Sequence, residues 1–332
     1  MPALHRFPAV LALLAAVALG TPAAAQTLNL RFATLAPDTF PYVDGMKKFK
    51  EAVEARSNGE IRVSLHTAGS LGAEREINEA ILEGTIHLGI GAGAMANLAP
   101  IYNIVQIPFL IQGQKHMAAI ADGPVGAELA KRIEAQAGFR VLGWWSTGDS
   151  AIETTNRPVR TPDDMKGLKL RVIENPALID TMRALGANPT PMPFPEVYTG
   201  LKQGVIEGAH LDVVLVHASK AFEVLKYMTD WEQITFLSEP RPVIMKASYF
   251  DGLPRKHQDA IRQAMREATT HERAVFIERM NAIRPILQKA GLQITQVDKA
   301  AFLARVQPVW QKYAAQLKAE DLLKQIQAAQ PR

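Results

Sequence analysis

The sequence predicts an α/β protein of two lobes, each a mostly parallel sheet flanked by helices. Three observations predict it. β-prone runs of period two alternate with amphipathic stretches near period 3.6, the rhythm of βαβ units. About 307 residues follow a leader-like start, more than one hydrophobic core usually holds. A helix–Gly–strand unit also recurs at an offset of 120 residues, matching Glu76-Ile77 with Glu196-Val197, Ala80-Ile81 with Gly200-Leu201, Gly84 with Gly204, and Ile86 with Ile206. Two amphipathic helices with Gly caps can align this way by chance. If the repeat is genuine, two similar lobes face each other, and a ligand belongs in the crevice at the carboxyl ends of their strands.

The opening stretch "MPALHRFPAVLALLAAVALGTPAAAQ" has a basic start at His5 and Arg6, an apolar core from Ala9 to Leu19, and small residues Ala23 and Ala25 before Gln26. That layout predicts a cleaved secretory signal over residues 1–25, with a core too short to anchor in a bilayer. There is no Cys, which excludes a lipid-modified Cys, a disulfide framework, a thiolate metal site and a Cys nucleophile. An exported, untethered chain is expected. Removing Arg6 from the 37 basic residues leaves 36 against 33 acidic ones, spread without a Lys/Arg run, so nucleic acid is not an expected partner.

In "LNLRFATLAP", Leu28, Leu30 and Phe32 alternate with Asn29 and Arg31, a half-buried strand. Met46, Phe49 and Val53 then recur at helical spacing until Asn58-Gly59. "EIRVSLH" is a strand, "EREINEAILEG" a helix closed by Gly84, and "IHLGI" a short strand. In the second half "GFRVLGWW" and "GLKLRVI" are strands, "PALIDTMRALG" is a helix opened by Pro176 and closed by Gly186, and "EVYTGLKQG" is another. Pro254 to Gly291 is one helical stretch, with Ile261, Met265, Ala268, Phe276, Met280, Ile283 and Leu287 near helical periods and a kink or break expected at Pro285. Two more helices close the chain, around Phe302 to Leu317 and in its last residues.

Motifs for the common chemistries fail. "GAGAMA", Gly91 to Ala96, satisfies the dinucleotide spacing after an apolar strand. Yet Pro100 interrupts any helix it opens, and no acid stands about 20 residues on, where a ribose partner belongs. A glycine-rich loop approached by ligand or backbone fits better. The serine elbow, the paired-His zinc helix and the phosphate loop are absent. His210 and Asp212 in "EGAHLD" can point the same way from a strand, as ligand contacts, as two metal ligands or as plain polar lining. Asp163-Asp164, after Thr161-Pro162, suit the capped start of a short turn.

Arg171 stands in the apolar run "GLKLRVIENP", just before Asn175-Pro176 ends it. An Arg there either lies on a solvated edge or aims its rigid fork at a carboxylate, a pairing that is strong where water is excluded. The local sequence permits a carboxylate clamp and does not demand one.

"GLKLRV" followed by "ALGANPTPMPFPEVYTGLKQGVIEG" resembles the signature of the solute-binding proteins of tripartite ATP-independent periplasmic (TRAP) transporters, the C4-dicarboxylate-receptor (DctP-like) family. "GSLGAEREINEAILEGTIHLGI", "IPFLI" and "RPVRTPDDMKGLKLRV" fit the same family in order and spacing, so the resemblance covers Leu28 to about Leu317. It implies a periplasmic-binding-protein-like fold bridged by a long helix, closing on a small organic acid in the periplasm and delivering it to the membrane subunits of a permease. No cofactor and no catalysis are implied. It also implies that Arg171 forms a salt bridge with the ligand carboxylate and that Phe194, the aromatic of "PMPF", lines the pocket.

Two departures bear on the ligand. Members that bind diacids or sugar acids often have a second Arg where this chain has Ser150, and many have an Asn where it has Leu211, next to Asp212. Losing a cation and an amide while gaining an acid predicts a monocarboxylate, because a buried unpaired charge costs several kcal/mol. Its apolar or aromatic part would rest on Phe194, Trp144 or Trp145, or a hydroxyl or amine would meet Asp212 and His210; the two Trp are equally suited to the core. The expected division is lobe I at 26–147 plus 237–276, lobe II at 148–236 plus 277–317, and a C-terminal tail at 318–332. A secreted α/β enzyme acting on a carboxylate, or a receptor of a sensory or ATP-driven system, are the alternatives.

Overall fold

The alternation of Leu30 and Phe32, both fully buried, with Asn29 and Arg31 builds the first strand of the first sheet. The computed structural model describes residues 27–330, and the expected leader lies outside them. In chain order the strands are β1 (Leu28–Ala33), β2 (Ile61–His66), β3 (Leu88–Ile90), β4 (Phe139–Trp145), β5 (Ser150–Thr154), β6 (Lys169–Val172), β7 (Asn188–Pro191), β8 (Gly208–Asp212), β9 (Tyr227–Thr229), β10 (Arg241–Lys246) and β11 (Gln293–Thr295).

One sheet has the order β2-β1-β3-β10-β4 and the other β11-β9-β5-β8-β6-β7. In each, a single strand runs against the rest. β10 is antiparallel to β3 and β4, and β5 is antiparallel to β8 and β9. These are the strands that follow the first two crossings, since the chain leaves the first sheet after Trp145, enters the second at Ser150, and returns between Thr229 and Arg241, before a third crossing leads to β11. Consequently the first residues of β5 and β10 lie beside the last residues of their antiparallel neighbours. Ser150 is opposite Asp212, and Arg241 is opposite Trp145.

Helix Pro41–Arg56 lays Met46, Phe49 and Val53 on the first sheet, with Phe49 edge-on to Phe32 at 5.7 Å. Each such buried side chain contributes about 1.5–3 kcal/mol. The unit repeated at 120 residues is present twice. Helices Glu74–Glu83 and Val197–Lys202 run out at Gly84 (φ 87°) and Gly204 (φ 72°), left-handed positions that suit Gly, and lead into β3 and β8. Helix Arg255–Lys289 buries Ile261, Met265 and Ala268, and further along Phe276, Ile283 and Leu287.

One expectation is corrected. The long helix continues through Pro285 for its full 35 residues, so no break occurs there. The helix expected in the last residues is Glu320–Ala328; it buries Leu322, Leu323 and Ile326, and the Ile326 carbonyl lies 2.7 Å from Nε2 of the buried His116. Burial of one face holds this segment to the first lobe.

Candidate ligand-binding site

Between the sheets lies a cleft of about 840 Å³, lined from both lobes. Arg171 reaches it from β6, where Leu170 and Val172 are fully buried and anchor the strand. The arginine is only 4% exposed. Its Nε donates to the Met192 carbonyl at 2.9 Å, which fixes the plane of the fork. Among the described residues no carboxylate pairs with it; burial pulls its pKa down to about 10, with Glu74 pulling the other way, so it stays charged at neutral pH. An unpaired buried guanidinium carries a desolvation cost of several kcal/mol, which an arriving anion offsets.

A second arginine enters from the opposite lobe. Arg241, the first residue of β10, lines the cleft and is paired through Nη2 with the fully buried Glu239; its Nε has no partner among the described residues. The Tyr102 hydroxyl donates to Glu239 Oε2 at 3.3 Å and to the Pro240 carbonyl at 3.1 Å. Burial pushes the Glu239 carboxyl up to about 7, against the pull of Arg241.

Two other acids, unlike Glu239, line the cleft itself. Glu74 Oε1 accepts from the amides of Ala92 (2.7 Å) and Met95 (3.2 Å), and burial raises its pKa. Asp212 caps helix Val213–Ala218 through the Leu215 amide at 2.7 Å, and burial pushes its carboxyl up to about 8. It is therefore mostly neutral at pH 7, able to donate as well as accept. Phe40, Met192 and Phe194 supply apolar wall.

The lobes also touch across the cleft. Asn175, the cap of helix Pro176–Ala184, donates from Nδ2 to Asn103 Oδ1 at 3.0 Å and to the Gly93 carbonyl at 3.4 Å. Beside it, a Cβ on Gly93 would fall 2.6 Å from Ile173 Cγ2, so only Gly lets the lobes approach this closely. The "GAGAMA" segment thus gives its amides to Glu74 and its backbone to the opposite lobe.

Residues 32–317 match the family described as bacterial extracellular solute-binding protein, family 7. The chain belongs to that family. The 2,3-diketo-L-gulonate-binding periplasmic protein YiaO of Escherichia coli is 32% identical over 281 residues, 84% of this chain and 84% of that protein. A TRAP periplasmic solute-binding protein of Pseudomonas putida F1 with bound D-glucuronate superposes with a TM-score of 0.86 at 32% identity, covering 92% of this chain and 98% of that one. One from Polaromonas sp. JS666 bound to D-erythronate gives 0.86 at 28% identity, covering 92% and 100%. The family-7 chain is thus a TRAP-type periplasmic solute receptor with a two-lobe α/β fold, and the enzyme alternative falls away. No helix among its described residues is long and apolar enough to cross a membrane.

Of the family-7 site residues expected from sequence, Arg171, Phe194 and Asp212 line the cleft. Four do not. Trp145 is fully buried against Phe32 (5.9 Å) and Tyr42 (6.1 Å), its Nε1 donating to Thr269 Oγ1 at 3.2 Å. Leu211 packs with Ala151 and Ala209 in the core, and its amide donates to Glu153 Oε2 at 3.0 Å. His210 lies against Phe236 at 5.3 Å, where burial pushes its pKa down to about 3 and keeps it neutral. Ser150 is buried at the start of β5 and bridges to Leu237. Trp144 also belongs to the core. Sequence reasoning missed Glu74, Glu239 and Arg241.

Proposed function

We propose that this receptor closes on a hydroxylated organic acid carrying one carboxylate, holds that carboxylate on Arg171, and delivers the acid to the membrane subunits of a TRAP transporter. The observation that carries the reading is a buried, charged Arg171 with a fixed fork and no anion of its own. The relatives' ligands agree in kind, because D-glucuronate and D-erythronate each combine one carboxylate with several hydroxyls. Glu74, Asp212 and Arg241, the last held by Glu239 behind it, are hydrogen-bonding groups suited to hydroxyls.

The grounds for a single carboxylate differ from those in the sequence. The cleft does not lack a second cation. Arg241 is there, but Glu239 neutralises it, and Glu74 adds a further acid. A second ligand carboxylate would therefore enter a space with no free positive charge. An aromatic ligand part against the tryptophans loses its support, since both are core.

Uptake proceeds by closure. Each lobe supplies contacts that exist together only when the lobes meet, so the ligand shifts the open–closed equilibrium by its differential affinity. The rigid units are lobe I (26–147 with 237–276, plus the C-terminal helix) and lobe II (148–236 with 277–317). Gln114 ties the first two crossings, its Nε2 donating to Asp149 Oδ1 at 2.8 Å and to Ser238 Oγ at 3.1 Å. Export through a leader cleaved near Gln26 places the receptor in the periplasm.

The test is thermal unfolding of ligand-stripped protein with D-glucuronate, D-erythronate or succinate, in the wild type and in Arg171→Ala. Ligand at about 100 times its Kd adds roughly 2.7 kcal/mol. A shift with the sugar acids that vanishes in Arg171→Ala supports the reading; a shift with succinate alone, or one unchanged in the variant, refutes it.

A further inference from the structure

We infer that Glu239 is the specificity-determining residue that excludes dicarboxylates, acting as a built-in anion on Arg241 and so closing a second carboxylate subsite opposite Arg171. The inference rests on the reading of Arg171 as the ligand clamp.

The cleft holds two arginines from opposite lobes, and they are not equivalent. Arg171 has its Nε occupied by a neutral carbonyl and, among the described residues, no carboxylate paired with it. Arg241 carries the same fork, yet a protein carboxylate is already seated on it. That carboxylate has no exposure at all, and the Tyr102 hydroxyl steadies its other oxygen. Seen from the cleft, Arg241 with Glu239 is a filled clamp: its guanidinium can still donate to a hydroxyl, but it offers no net charge. An unfilled guanidinium beside an arriving anion is the condition for strong pairing, and leaving either charge unpaired in a buried site costs several kcal/mol. The neighbouring charges reinforce the effect. Glu74 acts on Glu239 as well as on both arginines. A second ligand carboxylate would face two acids and a single occupied cation.

Neutralising Glu239 without changing its shape should reopen the subsite. In Glu239→Gln the Arg241 fork loses its internal anion, keeping only a neutral amide oxygen, while the Tyr102 hydroxyl keeps the Pro240 carbonyl as acceptor at 3.1 Å. Isothermal titration of ligand-stripped wild type and Glu239→Gln with D-glucuronate, D-gluconate, succinate, L-malate and D-glucarate reads the ratio of dicarboxylate to monocarboxylate affinity. The ratio rises at least about tenfold for one of the diacids in the variant, and adding Arg241→Gln removes the gain. An unchanged ratio in folded Glu239→Gln overturns the inference and leaves the Arg171 reading standing. Sugar-acid binding that survives Arg171→Ala sinks the underlying reading instead.

If Glu239→Gln does not fold, the wild type itself supplies the test. The groups facing Glu239 are Arg241, Tyr102 and Glu74, with Tyr42 near, and its own carboxyl sits at about 7. Titrating 3-sulfopropanoate, doubly charged throughout, from about pH 8 down to about pH 6 protonates Glu239, and the affinity should climb by about tenfold both in the wild type and in Asp212→Asn, which lacks the other cleft acid that protonates in this window. A flat or falling profile overturns the inference.

Discussion

The Nε of Arg171 donates to the carbonyl of Met192 at 2.9 Å, so the clamp is aimed by the loop that also carries Phe194. Position and charge are thereby separable. Arg171→Ala should weaken D-glucuronate binding by about 2–5 kcal/mol, at least about thirtyfold in Kd, as expected for losing one side of a buried charge pair. Arg171→Lys keeps the charge but loses both the Nε bond and the planar fork, so it should recover only part of that affinity. Calorimetric titration of both variants decides; a Lys variant as tight as the wild type would mean that the fork geometry is irrelevant.

Some of this site was readable in the sequence and some was not, and the topology says why. Arg171 announces itself because it interrupts an apolar strand just before an Asn-Pro stop, at the carboxyl edge where α/β sheets bind ligands. Arg241 occupies the same edge, but at the amino end of β10, because that strand is reversed after the second crossing. Nothing in "EPRPVIMK" reveals the reversal. Glu74 and Glu239 are hidden for another reason: their role depends on burial and on which amides and guanidinium surround them, which only packing creates. For His210 the strand alternation is legible, but not that its ring lies against Phe236. The fold was more legible because each element needs only its own periodicity; the C-terminal helix could be read the same way, but not its contact with His116, which is far away in sequence.

Asn175 both caps its own helix and reaches across to Asn103, so the contact between lobes can be cut from the far side without touching the cap. Asn103→Ala should leave the ligand-free protein folded and lower D-glucuronate affinity severalfold, about 1 kcal/mol for one hydrogen bond present only in the closed form. Small-angle scattering at subsaturating ligand should show a larger share of open molecules. An unaltered affinity would show that this bond does not discriminate open from closed.

Gly93 meets Ile173 where no Cβ fits, at 2.6 Å from Cγ2. Gly93→Ala should hinder closure and reduce affinity, since neither a backbone segment nor a β-branched side chain yields cheaply. Ile173→Ala in the same chain opens that space, so the double variant should bind more tightly than Gly93→Ala alone. Measured Kd values for the single and double variants form a cycle, and strict additivity would locate the defect elsewhere.

Asp212 gives the pH dependence its sign. Its carboxyl is raised by burial from an ordinary value of 3.8 to about 8, so the folded protein holds a proton that the unfolded chain releases. Its contribution to stability is fully present below about pH 4, declines as pH rises, and is lost once pH passes about 8. Asp212→Asn keeps an oxygen to accept from the Leu215 amide and has no proton to lose. Its melting temperature should therefore gain on the wild type steadily between about pH 4 and about pH 8 and hold that advantage above. Ligand binding follows the same logic: ionising Asp212 places a negative charge beside an anionic ligand, so wild-type affinity for D-glucuronate should fall above about pH 8 while that of Asp212→Asn stays level. Parallel profiles for the two proteins would mean that the acid governing the alkaline limb is Glu239 or Glu74 instead.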